Sequence, residues 1–160
     1  FAVEIEITIG EEAAGVVVAH GDQGGGYLLA IDRGAPLLSY NAYGDMHRAH
    51  GSRLAPGVHQ LVLRADELTG LRWRLTIEID GTLDAEIPEV PMLIGMAPFT
   101  GISVGYDYGG PVDWDLHERH RSFRFRGGEL AAVRYVPGER SEFDRTVLRQ
   151  VGRAVAEIAD

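Results

Sequence analysis

The chain of 160 residues contains no cysteine and no lysine. Without cysteine there is no disulfide, no thiolate-ligated zinc and no thiol nucleophile in it. Without lysine there is no G-x-x-x-x-G-K-[ST] phosphate loop. No apolar run approaches the ~20 residues of a membrane-spanning helix. Cations are scarce as well: all fifteen are arginine, against 24 carboxylates, for a formal net charge of −9. That balance argues against nucleic acid or an anionic membrane as the main partner. There is also no initiator Met. The chain opens at Phe1, already inside what reads as a strand, which suggests a piece of a longer protein.

Glycine, by contrast, is abundant, with 21 residues, about twice the usual ~7% share. Hydrophobic residues make up 45%, enough for one sizeable core. Apolar and polar residues alternate through residues 1–136, the period of half-buried strands. Phe1, Val3, Ile5, Ile7 and Ile9 fall on one face, and Glu4, Glu6 and Thr8 on the other. Gly10-Glu11-Glu12 is expected to break this run. Gly15 to His20 is apolar on both faces and reads as an interior strand. Asp32-Arg33-Gly34 and Asp80-Gly81 are hairpin signals. Residues 88–98 read as a proline-rich crossing, and Gly127-Gly128 separates the last two predicted strands. Roughly ten short strands with regular turn signals predict an all-β sandwich, with no helical periodicity before Val136. Residues 137–160 change character. Phe143, Val147, Leu148, Val151, Val155 and Ile158 recur at helical spacing, predicting a linker and a C-terminal amphipathic helix. Such a helix needs an apolar surface or a second copy of the chain to lie on.

Candidate chemistry is sparse. His47/His50 and His117/His120 each sit three apart, but in predicted strand or loop, where i and i+3 point to opposite faces. No serine stands in a G-x-S-x-G elbow. The one concentrated cluster is Tyr106, Asp107, Tyr108, Asp113, Trp114 and Asp115. Its aspartates could hold calcium, although their spacing is not that of a D-x-[DN]-x-[DN]-G loop. The simpler reading is a structured turn in which they make Asx turns, with the rings covering the end of the sandwich. The rings could also form a platform for a sugar or aryl group.

Several segments together resemble the C-terminal β-sandwich region of bacterial arylsulfatases. They are Gly25-Gly26-Tyr27, Tyr40-Asn41-Ala42-Tyr43-Gly44, Leu54-Ala55-Pro56-Gly57-Val58-His59, Leu75 to Gly81, and Phe125 to Leu130. The most specific is the V-G-x-D-x-G-x-P-V loop at Val104 to Val112. The resemblance covers residues 1–136, with the segments in the family's order. It implies a concanavalin-like jelly-roll sandwich attached to an upstream sulfatase catalytic domain. In that family the nucleophile is a formylglycine made from a C/S-x-P-x-R motif, assisted by calcium. Neither the motif nor a cysteine occurs in this chain, so the resemblance places that chemistry upstream and assigns no cofactor here. It implies a non-catalytic accessory domain that packs on the catalytic domain and shapes substrate access. Two alternatives remain open: a lectin-like binding module using Tyr106, Tyr108, Trp114 and the nearby aspartates, or an oligomerisation element built on residues 141–160.

Overall fold

The computed structural model describes residues 1–93 and 100–138; the expected C-terminal helix lies outside the described residues. The described chain is dominated by nine antiparallel strands, β1 (Ala2–Asp22), β2 (Gly25–Asp32), β3 (Ala35–Ala42), β4 (Asp45–His50), β5 (Gly57–Leu68), β6 (Arg72–Ile79), β7 (Thr82–Pro91), β8 (Ile102–Val104) and β9 (Arg126–Val136). One short helix, α1 (Trp114–His120), interrupts them.

The strands form two layers that share β1. Its first half pairs with β5 and β9, and β6 and β7 extend that sheet beyond β5. Its second half pairs with β2 and β8, and β3 and β4 extend the other sheet beyond β2. The expected break at Gly10-Glu11-Glu12 is therefore not a break. The pairing with β9 shifts register between Ile9 and Ala14, a bulged region that turns the strand from one sheet into the other. Both faces of the sandwich are fed by alternation. Val3, Ile5, Ile7 and Ile9 meet Leu29, Ile31, Leu38, Leu61, Leu63 and Ile77 in one buried cluster between the sheets. Tyr40 ties the layers together, its hydroxyl donating to the Pro91 carbonyl at 2.7 Å.

Three two-residue hairpin turns explain much of the register. Arg33/Gly34, Tyr43/Gly44 and Asp80/Gly81 all hold positive φ, the turn whose twist matches antiparallel strands. Pro88 and Pro91 lie inside β7 rather than in a crossing. They are tolerated because β7 is an edge strand, where a missing N–H leaves no ladder bond unmade. Likewise, Gly127 and Gly128 sit within β9 and do not divide it.

The middle of the second sheet is buried on both faces. Every residue of β2 is buried, and β3 is buried except at its first residue. Leu28, Ala30 and Leu37 turn away from the main core and pack against Val112, Leu116 and Phe123. This outer layer comes from residues 105–125 and contains α1. Helical structure in this stretch was not expected; α1 has only seven residues and buries only Leu116, too little for a period to show.

At the β1–β2 turn, Gly21 faces Gly26 across the ladder. A Cβ on Gly26, at φ +144°, would stand 2.2 Å from the His20 carbonyl oxygen and 2.6 Å from the Gly21 Cα. Gly44 holds φ +98° but opens onto free space. Gly26→Ala is therefore expected to lose more than about 3 kcal/mol in urea denaturation, through clash and backbone strain together. Gly44→Ala should lose only about 1 kcal/mol.

Candidate functional site

The acidic and aromatic residues singled out in the sequence are brought into one outer layer, but not into one site. Asp113 is 2% exposed and caps α1, its Oδ1 accepting from the Leu116 N–H at 3.1 Å. Arg48, from β4, donates to both its oxygens, Nε to Oδ2 at 2.7 Å and Nη2 to Oδ1 at 2.8 Å. Ser39, fully buried on β3, donates its hydroxyl to Oδ2 at 2.6 Å. Burial would raise the Asp113 pKa, but Arg48, Ser39 and the helix N–H outweigh it and hold the carboxyl at about 2. Asp115 is reached by the same Arg48 Nη2 at 2.8 Å from the exposed side.

Asp107 works within its own loop. Its Oδ2 accepts from the Val112 N–H at 2.8 Å and closes the turn that Tyr106 to Pro111 describes. Burial, foremost, pushes its carboxyl above the usual range. The buried Asn41 anchors the same loop, its Nδ2 donating to the Val112 carbonyl at 3.2 Å and the Gln23 carbonyl at 3.1 Å. The calcium reading of this cluster does not fit the geometry. A guanidinium already occupies both oxygens of Asp113, and among the described residues no group of three His, Asp or Glu side chains could hold a metal ion.

The rings separate into two pairs. Tyr106 and Tyr108 meet edge to face at 5.7 Å, with Arg124 4.5 Å above the Tyr106 ring. Trp114 instead meets His117 at 5.7 Å. Rather than covering the end of the sandwich, Tyr108 and Trp114 are exposed at 68% and 49%, and the aliphatic Val112 and Leu116 do the covering with Phe123. His117 and His120 stand on α1, not on strand or loop. His120 stacks on Phe123 with ring centroids 4.1 Å apart, and its Nε2 lies 3.7 Å from Asp32.

A second locus escaped sequence reasoning. Where the sheets part beside Phe1, a chamber of about 380 Å³ opens, with His20, Tyr27, Tyr40, Trp73 and Tyr135 among its walls. The Tyr27 and Tyr135 hydroxyls meet there at 2.5 Å. Both phenols are pushed up by burial, so they stay protonated. Burial also lowers the His20 pKa. The lining comes from seven strands, and residues 27 and 135 are distant in sequence. Only the aromatic residues at inward strand positions offered a signal.

No family model matches this chain, and no curated protein matches it. Among solved structures it is similar to domains LG4-5 of the mouse laminin alpha1 chain, with a TM-score of 0.53 at 12% identity. The match covers 83% of this chain and 34% of that one, so the chain spans about a third of its length. That likeness shows the fold alone: an antiparallel, jelly-roll-like sandwich.

Asp113 has a folded pKa below its ordinary 3.8. Its contribution to stability is therefore complete above about pH 4 and is lost as pH falls towards 2. Arg48→Met leaves a buried carboxylate without its cation and should lose about 3 kcal/mol at pH 7. In urea denaturation across pH 7 to 2, the gap between variant and native protein should narrow below pH 4. A constant gap would mean that Arg48 acts only through packing.

Proposed function

We propose that this chain is a non-catalytic accessory domain, a concanavalin-like jelly-roll sandwich attached downstream of an arylsulfatase-like catalytic domain. What carries the reading is the fate of the most specific family-like segment, Val104 to Val112. Its carboxylate, Asp107, closes the loop on the Val112 N–H, and the loop is tied to the sheet by Asn41 of the Tyr40-Asn41-Ala42-Tyr43-Gly44 segment. Two segments of the resemblance thus meet in space and hold each other.

A third behaves the same way. His59, which ends the Leu54 to His59 turn, bonds through Nδ1 to Asp80 at 2.8 Å and through Nε2 to the Ala55 carbonyl at 2.9 Å. Both partners are acceptors, so a doubly protonated ring satisfies them together. Its pKa is accordingly raised, foremost by Asp80. Asp80 belongs to the hairpin of the Leu75 to Gly81 segment. These roles are architectural, as expected of a domain that supports chemistry performed elsewhere.

In this reading the parent protein hydrolyses a sulfate ester. Formylglycine and calcium belong to the upstream domain, and no residue of this chain is assigned to either. The sandwich docks on that domain and borders access to its site. The isolated 160-residue chain should not turn over 4-nitrophenyl sulfate, and the encoding gene should carry a C/S-x-P-x-R motif upstream of the Phe1 codon. Turnover that survives rigorous purification, or an upstream region without such a motif, would overturn the reading.

A second reading is favoured by one observation, the exposed faces of Tyr108 and Trp114. Amphipathic rings held open to water suit the apolar face of a sugar. A lectin-like module should then bind at least one member of a glycan panel in calorimetric titration, with binding lost in Trp114→Ala. Silence across the panel removes this alternative.

A further inference from the structure

We infer that the chamber beside Phe1 binds an uncharged, planar aromatic small molecule that carries one hydrogen-bond-accepting oxygen. The inference stands on the chamber alone and does not depend on the accessory-domain reading.

Size and lining set the class. A volume of about 380 Å³ falls within the ~300–1,000 Å³ of small-molecule pockets, which combine apolar walls with few polar groups. The walls here are rings: Phe1, Tyr27, Tyr40, Trp73 and Tyr135. Phe1 meets Tyr27 at 5.6 Å in a tilted contact and Trp73 at 6.1 Å edge to face. Rings so arranged offer both faces and edges to a further ring, the geometry aromatic pairs prefer.

The side chains of the walls favour an uncharged ligand. Among the described residues, no carboxylate, arginine or lysine side chain lines the chamber. His20, the only basic side chain there among the described residues, has a pKa lowered by burial. These side chains offer a charged ligand no partner of opposite sign in exchange for the hydration it loses.

The polar requirement comes from the tyrosine pair. Two hydroxyls carry two protons, and their mutual bond uses one. Tyr40, by contrast, already donates to the Pro91 carbonyl. The second proton of the Tyr27–Tyr135 pair has no protein acceptor among the described residues; Tyr27 is buried and Tyr135 partly buried. A donor so placed favours a ligand oxygen, because leaving it unmatched in an apolar chamber is costly.

The probes are 2-acetylnaphthalene, which has a carbonyl acceptor, and naphthalene, which has none. Titrated into the full chain, 2-acetylnaphthalene should bind saturably at one per chain and roughly three- to tenfold tighter than naphthalene, the range that one net hydrogen bond supplies. In the double variant Tyr27→Phe, Tyr135→Phe both hydroxyls leave together and the rings remain. There the two probes should bind equally. Should that variant fail to fold, heteronuclear NMR of the native chain decides: the side-chain signals of His20 and Trp73 should shift with 2-acetylnaphthalene, those of Trp114 and His117 should not. Absence of saturable binding, equal affinity of the two probes in the native chain, a preference that survives the double variant, or shifts centred on α1 would each overturn the inference. Turnover of an aryl sulfate bears only on the accessory-domain reading, so the two can fail separately.

Discussion

The Asp113 carboxylate, held between Arg48, Ser39 and the first turn of α1, is the point on which the outer layer hangs. The second sheet presents Leu28, Ala30 and Leu37 on the side away from the main core, and apolar strands buried on both faces need a cover. The cover is thin. It offers three large buried side chains, Val112, Leu116 and Phe123, each worth about 1.5–3 kcal/mol when fully buried. A seven-residue helix has no stability of its own in water. Its position must therefore come from anchors, and these are polar: Arg48 to Asp113 and Asp115, Arg119 to Asp32, and Asn41 to the Val112 carbonyl. Directional bonds fix where the cover sits, while the apolar contacts supply the reason for covering.

This division explains what the sequence revealed. Alternation along β1 and β6 and the turn pairs Arg33/Gly34 and Asp80/Gly81 are local signals, and they stand where expected. The doubly apolar run at Gly15 to His20 announced an interior strand, without saying what lies on its outer face. The passage of β1 between layers was hidden, because Gly10-Glu11-Glu12 looks like a turn when the partner strand is unknown. Helix α1 was hidden for a different reason. One buried residue in seven makes no periodicity, and its only sequence mark was Asp113 placed to cap and Asp115 in the first turn. The chamber was not legible at all, since its walls are assembled from residues scattered between 1 and 137.

The motifs that suggested a family are equally structural. Gly26 lets two backbones approach, Asn41 and Asp107 hold a loop, and His59 joins a turn to a hairpin. Each solves a geometric problem that a sandwich of this kind poses. Such residues can mark a domain type without marking an activity, because fold and function are separable. A sandwich similar in fold to about a third of a laminin LG4-5 chain at 12% identity illustrates how little of the sequence that architecture requires.

The same reasoning moves attention from the acidic loop to the chamber. A binding site needs polar groups whose partners are supplied by the ligand. Around Asp113 every oxygen already accepts two bonds from the protein, so a ligand there would have to displace a guanidinium and a helix cap. At the Tyr27–Tyr135 pair the protein supplies one acceptor for two protons, within walls that favour an apolar ring. Dense charge in a sequence draws the eye, yet charge that is fully paired is architecture. The surplus proton of a buried and a partly buried phenol is the less conspicuous feature and the one with capacity left for a ligand.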